Sequence, residues 1–385
     1  MSHEPRWLLR SDVEILSASE LAVGSREGYV VVRPRSRYGP TRVDLEGARL
    51  LERFRAPVSI AQALQKEAAA SGGDVGEFVD RASALLQHLV AKEVLVSEAT
   101  AATLPSSPLL QPGDRVAEST VLCPVAVADD GEVHRVRLDG GELAALKLQR
   151  KPAGSLDREA QILVRLGGGV SPALLYRGET GSASWLLLEW RPGIDPVAAA
   201  ESWRGPGDRQ RLLHLCLAVA RAYAGLHALD VVHGDVHRRN VLVGPEDEVT
   251  LLDFGLARTR GDAGPPRAGV PFFFEPEYAR SELADEPAPP ASPRGEQYAV
   301  AVLLYWMVTG FPYIDFQLER RRLLEQIVSQ DPLSFGERGV PAWPQLEEIL
   351  RRSLAKEPVD RFPSLEALAS AIENLLKEVG SGPRP

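Results

Sequence analysis

One stretch constrains the fold more than any other: Val231-Val232-His233-Gly234-Asp235-Val236-His237-Arg238-Arg239-Asn240-Val241-Leu242-Val243, followed by Val249-Thr250-Leu251-Leu252-Asp253-Phe254-Gly255. Apolar strands flank polar loops twice in quick succession. Asp235 and Asn240 lie five positions apart on one loop, and Asp253 ends a strand just beyond, so two carboxylates and an amide oxygen can converge on one point. Such a set suits a divalent cation beside a base for an incoming hydroxyl, because Mg²⁺ prefers oxygen ligands and bridges phosphate oxygens. The alternative is a pair of polar turns in which aspartate closes an Asx turn or caps a helix. A turn does not require this many positions to agree.

The chain has 385 residues, room for two or three cores. With 44% hydrophobic and 25% charged residues it has the composition of a globular protein, not of a disordered or fibrous one. No run of about 18 apolar residues occurs, and Met1-Ser2-His3-Glu4 lacks the basic-then-apolar layout of a signal peptide. The expectation is a cytoplasmic protein with no membrane partner. Cys123 and Cys216 are too far apart to suggest a disulfide framework or a structural zinc site. Lys+Arg 44 against Asp+Glu 53 gives −9, the wrong sign for a protein that holds nucleic acid by neutralising phosphates, so no nucleic-acid partner is expected.

Residues 99–114 have linker composition, with Pro105, Pro108 and Pro112 and few periodic apolar positions. Upstream, Glu20–Val23 and Tyr29–Val32 predict two short strands joined by Gly24–Gly28, and helical spacing begins near Val43. Three helices follow, the best at Val75–Val90, where Val75, Phe78, Val79, Ala82, Leu85, Leu86, Leu89 and Val90 mark one buried face. Glu93–Val96 predicts a returning strand. Beyond the linker, strands and helices mix to about residue 190, and helical patterns dominate from Arg209. Residues 283–295, with four prolines, predict an exposed loop. No internal repeat is visible.

From about residue 115 to 378 the chain resembles the protein kinase superfamily, through its catalytic loop in the His-Gly-Asp form and its Asp-Phe-Gly. That form is shared with aminoglycoside phosphotransferases and many bacterial kinase-like enzymes. The resemblance implies ATP and Mg²⁺ as cofactors, Asp235 as catalytic base, Asn240 and Asp253 as metal ligands, and Lys147 as the lysine on the α- and β-phosphates. Glu159 would pair with Lys147, which a buried lysine needs to stay charged. Leu188 would be the gatekeeper ahead of a hinge whose Glu189 and Arg191 backbones face adenine, and Ala145 and Leu242 would line the same nucleotide site. Glu277 should pair with Arg361, and Gln297–Tyr305 resembles the long buried helix of the second lobe, although Glu296 stands where the family usually has aspartate.

Three departures accompany these agreements. Counting back from Gly131-Glu132-Val133, the first two glycines of the phosphate loop fall on Ala126 and Ala128, and Asp129 and Asp130 put negative charge at its tip. Gly234 replaces the arginine that grips a phosphorylated activation segment in regulated kinases. Val270 stands where serine/threonine kinases usually have a threonine, and His237 replaces a lysine, leaving His237, Arg238 or Arg239 to neutralise the transferring phosphate.

Residues 1–98 resemble the small PqqD-like winged-helix domains that recognise leader peptides of ribosomally made, modified peptides, chiefly through Val43–Phe54 and Val58–Leu64. A structural or dimerising winged helix is the alternative. DNA binding is opposed by 13 basic against 14 acidic residues there, although Arg33, Arg35, Arg37 and Arg42 could form a local patch. The expected architecture is α+β, a two-lobed protein-kinase-like fold behind a winged-helix-like domain. Its divisions are 1–98, a linker at 99–114, an N-lobe at 115–190 and a C-lobe at 191–385. The expected function is ATP-dependent transfer of the γ-phosphate to a Ser/Thr-type hydroxyl of a peptide or protein, with a leader peptide as candidate partner of the N-terminal domain. The rivals are a small-molecule kinase and a pseudokinase scaffold. The scaffold is favoured by the degraded phosphate loop and opposed by the intact Lys147, Glu159, Asp235, Asn240 and Asp253.

Overall fold

The computed structural model describes residues 5–10, 13–17, 28–32, 41–71, 78–79, 82, 85–86, 89–90, 94–101, 108–127, 131–150, 155–181, 183–262, 264, 267–316 and 320–381. Two compact units divide the chain, Met1–Gly140 and Gly141–Pro385.

In the first unit, β1 (Arg6–Leu9) is the centre of an antiparallel sheet; β2 (Glu14–Ser17), β3 (Tyr29–Val32) and β4 (Thr41–Val43) form a second, in that order. Helix α1 (Leu45–Glu52) starts at Asp44, whose carboxylate accepts the Gly47 amide at 2.7 Å and satisfies one of the first-turn donors. β5 (Val58–Ser59) and β6 (Leu95–Ser97) flank β1, and α2 (Ile60–Ser71) follows β5 directly. The expected third helix is helical at its described positions, and Phe78, Ala82, Leu86 and Leu89 are buried with Leu50, Leu51 and Phe54 in one core. Tyr29–Val32 is a strand as expected; Glu20–Val23 and Val75 lie outside the described residues. β1 was not anticipated, because Arg-Trp-Leu-Leu has no alternation to mark it.

β7 (Arg115–Val116), β8 (Ser119–Val127) and β9 (Gly131–Leu138) complete the first unit as an antiparallel set with β8 in the middle. Period-two alternation puts Glu132 and His134 on one face of β9, where both are buried and joined at 2.8 Å. Glu132 also accepts the Leu109 amide at 2.7 Å, which ties part of the expected linker to this hairpin.

The second unit opens with β10 (Leu143–Arg150), β11 (Leu174–Glu179) and β12 (Ala183–Glu189), in the order β11-β12-β10, with α3 (Ser155–Leu166) between β10 and β11. Its remainder is helical, as expected. α4 (Arg209–Ala228) is apolar on more than one side and packs against both later core helices. Two short hairpins follow: β13 (Val231–Val232) pairs with β16 (Arg258–Thr259), and β14 (Val241–Val243) with β15 (Val249–Leu251). Then come α5 (Pro276–Leu283), α6 (Pro293–Thr309), α7 (Arg320–Ser329), α8 (Pro344–Ser353) and α9 (Leu365–Ser381). The expected loop at 283–295 is shorter than the prolines suggested. Leu283 closes α5, and Pro293 opens α6, where a first-turn proline costs no hydrogen bond and Ser292 caps the Gly295 amide at 3.0 Å. Among the described residues no helix is long and apolar enough to cross a membrane.

Candidate active site

Alternation along β10 sends Ala144, Leu146 and Leu148 into the core and leaves Ala145 and Lys147 together on the opposite face. On α3, Leu156, Ala160 and Leu163 pack inward and Glu159 is buried beside them. Lys147 Nζ lies 2.6 Å from Glu159 Oε2 and 2.8 Å from Asp253 Oδ1. Burial alone would lower the lysine's pKa, but the charges of Asp253 and Glu159 more than reverse this and hold it above its ordinary value. The same ammonium holds the Asp253 carboxyl well below the carboxylate range, against the effect of burial. Asp253 itself sits in the left-handed region at φ 60°, a conformation costing about 1–2 kcal/mol for a residue with a Cβ. Its carboxylate compensates locally by accepting the Gly255 amide at 3.4 Å.

The loop between β13 and β14 is held from three sides. His233 is fully buried, with Nε2 2.9 Å from the Leu252 carbonyl, and its Nδ1 accepts the Asp235 amide at 3.3 Å. Glu296, on α6, accepts the amides of His233 (3.1 Å) and Gly234 (2.8 Å) and meets His227 Nε2 at 2.9 Å. Burial would raise the Glu296 pKa; the His227 contact and the neighbouring donors bring it below its ordinary value. The extra methylene that distinguishes Glu296 from the family's aspartate is thus accommodated. Asn240 Nδ2 donates to both the backbone and side-chain oxygens of Asp235 at 3.0 Å, which commits its NH₂ group.

His237 caps the turn Arg238–Asn240 by accepting the Arg239 amide on Nδ1 at 3.2 Å, and its Nε2 lies 3.5 Å from Asp235 Oδ2. Burial would raise the Asp235 pKa; the His237 hydrogen bond and the neighbouring His237 and His233 rings leave it below the usual value, so Asp235 is a carboxylate at neutral pH. Arg238 is drawn aside into an ion pair with Asp195, over the Trp306 ring. Of the basic run His237–Arg239, His237 lies against Asp235, whereas Arg238 is turned to Asp195.

Gly234 could carry no side chain here. Its φ is +77°, and a Cβ would meet the Leu256 carbonyl oxygen at 2.6 Å. Gly269 is similarly confined, at φ +120° with a Cβ position 2.7 Å from Asp235 Oδ1. Arg267 Nη2 reaches both carboxylate oxygens of Glu275 at 2.7 and 2.6 Å. Glu277 and Arg361 meet in a bidentate pair at 2.9 and 2.7 Å, as expected.

Leu188 is buried in β12 opposite Ala145. Glu189 pairs with Arg191 at 2.9 Å, and Leu242 packs against the following Gly193, where a Cβ would come within 3.0 Å of its own. Ala126, Gly131 and Val133 belong to the β8–β9 hairpin of the first unit, with Ala126 opposite Val133. Ala128, Asp129 and Asp130 lie outside the described residues. The structure therefore brings together Lys147, Glu159 and Asp253, and beside them Asp235, His237 and Asn240. Sequence reasoning missed Asp195, His227, Arg267 and Glu275, whose roles depend on partners that no local pattern indicates.

The donor chemistry suits Mg²⁺. Asp253 offers carboxylate oxygen and Asn240 amide oxygen, and among the described residues no group of three or more His, Cys, Asp or Glu could form a cage by itself. Mg²⁺ is commonly held by one or two carboxylates, its shell completed by water and substrate phosphates.

The family model described as the protein kinase domain matches residues 132–375. Serine/threonine-protein kinase pkn3 of Myxococcus xanthus is 28% identical over 280 residues, covering 66% of this chain and 50% of its own. Serine/threonine-protein kinase PknL of Mycobacterium tuberculosis (strain ATCC 25618 / H37Rv) is 26% identical over 226 residues, covering 57% and 54%. Serine/threonine-protein kinase Pkn1 of Myxococcus xanthus is 29% identical over 206 residues, covering 50% and 28%. The chain spans about half the length, or less, of these curated relatives.

Proposed function

This chain belongs to the protein kinase family, and from that premise we propose that it moves the γ-phosphate of ATP to a Ser/Thr-type hydroxyl of a peptide or protein. The observation that carries the reading is Lys147 held at hydrogen-bonding distance from both Glu159 and Asp253. In this reading Lys147 grips the α- and β-phosphates, and Asp235 orients the acceptor hydroxyl and takes its proton as the oxygen bonds to phosphorus and the bond to ADP breaks. Asp253 and Asn240 would hold Mg²⁺, which supplies charge neutralisation on the phosphates. His237 Nε2 offers a donor beside the reacting oxygen. Incubation with Mg·ATP and hydroxyl-bearing peptides should give ATP-dependent phosphopeptide. Absence of both transfer and a Mg·ATP thermal shift would leave the scaffold reading standing. The His-Gly-Asp form favours small-molecule acceptors as a second reading, and phosphorylation of a small polyol or aminoglycoside but no peptide would select it.

Phosphorylation of the activation segment should be unnecessary. Residues 260–274 contain no serine or threonine, and the backbone at Gly234 leaves no space for a phosphate-gripping arginine. Thr259→Ala should retain activity within about twofold, because Thr259 serves β16 through its backbone. Loss of transfer in a variant with unchanged thermal unfolding would contradict this.

For residues 1–98 the proposal is peptide recognition. β2 and β4 are the edges of their sheet, and an extended leader peptide can add to such an edge, with main-chain hydrogen bonds for affinity and alternate side chains for specificity. A tethered peptide would meet Asp235 at an effective concentration of order millimolar. Deleting residues 1–98 should lower turnover of a dilute long acceptor at least about tenfold while Mg·ATP binding is kept. Equal turnover by the truncated protein would return the domain to a structural role.

A further inference from the structure

We propose that Arg158 and Asp262 are positioning residues, an ion pair that holds α3 where Glu159 reaches Lys147. The inference rests on the kinase reading for its catalytic consequence and on geometry for the rest. Arg158 and Glu159 are consecutive on α3, so their side chains leave the helix about 100° apart. Glu159 turns inward to Lys147, and Arg158 turns to Asp262, with which it forms a direct ion pair.

Asp262 is itself braced. Its Oδ1 accepts the Gly264 amide at 2.9 Å, its backbone amide donates to the Thr259 carbonyl at 3.1 Å, and its carbonyl accepts from Arg258 Nη2. The Gly264 amide and Arg158 hold its carboxyl below the usual range. The turn carrying Asp262 continues from β16, which is paired with β13, the strand that leads into the Asp235 loop. A continuous set of bonds therefore runs from the catalytic-loop strand through β16 and Asp262 to Arg158, and along one helix turn to Glu159 and Lys147. Residues 260–274 contain no hydroxyl amino acid, so the negative charge at this turn comes from the Asp262 side chain and not from phosphorylation of the segment. The far end of the segment carries a second ion pair, Arg267–Glu275.

The test uses the full-length protein, with Arg158→Asp, Asp262→Arg, the double swap and Asp262→Glu. Each single charge reversal should raise the KM for ATP about fivefold, the upper range for a partly exposed pair, and leave the KM for peptide unchanged. The double swap should recover to within about twofold, and Asp262→Glu should stay near wild type. Hydrogen exchange of amides 157–166 should be faster in both single variants, with α4 unchanged. Single variants with wild-type KM for ATP and wild-type exchange in α3 would overturn the proposal, as would a swap no better than either single. Should wild type transfer no phosphate, the kinase reading fails separately, and α3 exchange alone decides the clip: faster in the singles sustains it, unchanged overturns it.

Discussion

Replacing Asp235 with asparagine should lower phosphoryl transfer about a thousandfold while Mg·ATP binding, read by thermal shift, changes little. The asparagine keeps the shape of the side chain and can still accept from Asn240 Nδ2, which now donates to Asp235 Oδ2 at 3.0 Å. What it loses is the negative charge proposed to take the hydroxyl proton, a charge the surroundings favour through His237 and His233. Neither residue proposed to hold Mg²⁺ is altered. Asp253→Asn is the informative contrast. It removes the negative charge from a side chain in contact with Lys147 and proposed to hold the cation, so the Mg·ATP shift should fall along with transfer. Retained transfer in Asp235→Asn would mean that the base lies elsewhere.

The second large effect is on stability. Arg361 is fully enclosed, stacked over Tyr298 at 5.0 Å, and makes hydrogen bonds at 2.9 Å to the carbonyls of Ala355 and Arg294 besides its two bonds to Glu277. Arg361→Ala would strand the Glu277 carboxylate and both carbonyls and open a cavity beneath α5 and α6. Breaking one side of such a buried pair costs about 3–5 kcal/mol, which for a unit of this size lowers Tm by about 10 °C. Changing both partners together, Glu277→Gln with Arg361→Met, should recover part of the loss because no unpaired charge is left. A Tm drop of less than about 3 °C in Arg361→Ala would show that the pair contributes little to holding these helices.

Much of the second unit was legible because its chemistry is written in contiguous runs. Asp235, Asn240 and Asp253 are fixed relative to one another by two short hairpins, and alternation along β10 is enough to put Lys147 opposite the core residues Leu146 and Leu148. Glu277 with Arg361 could be anticipated only through family resemblance, since 84 positions separate them. Arg158–Asp262, at a separation of 104, and Arg238–Asp195 had no signal of either kind. An isolated arginine or aspartate reads as a solvated surface charge until the fold supplies its partner. Gly234 was legible as a missing arginine, but the reason for glycine there is the Leu256 carbonyl, which only the backbone path reveals. In the first unit β3 and β6 were legible as short apolar runs, but the other strands of three or four residues carry too few positions for alternation to declare itself. β1, β2 and β4 went unread, while the longer third-helix pattern was recognised.

The double contact of Lys147 also bears on what can enter the site. One ammonium stands against two carboxylates, with the Asp235 charge nearby, so the local electrostatic balance is negative before any nucleotide arrives. A bare polyphosphate would be repelled from this cluster and would have to compete with Asp253 for the lysine. A polyphosphate arriving with a divalent cation presents positive charge to Asp253 and negative charge to Lys147 at once, so one ion pair is exchanged for two. In the proposed kinase reading, occupancy would then be a partner exchange with its own selectivity for metal-complexed nucleotide, built from the contact between Lys147 and Asp253.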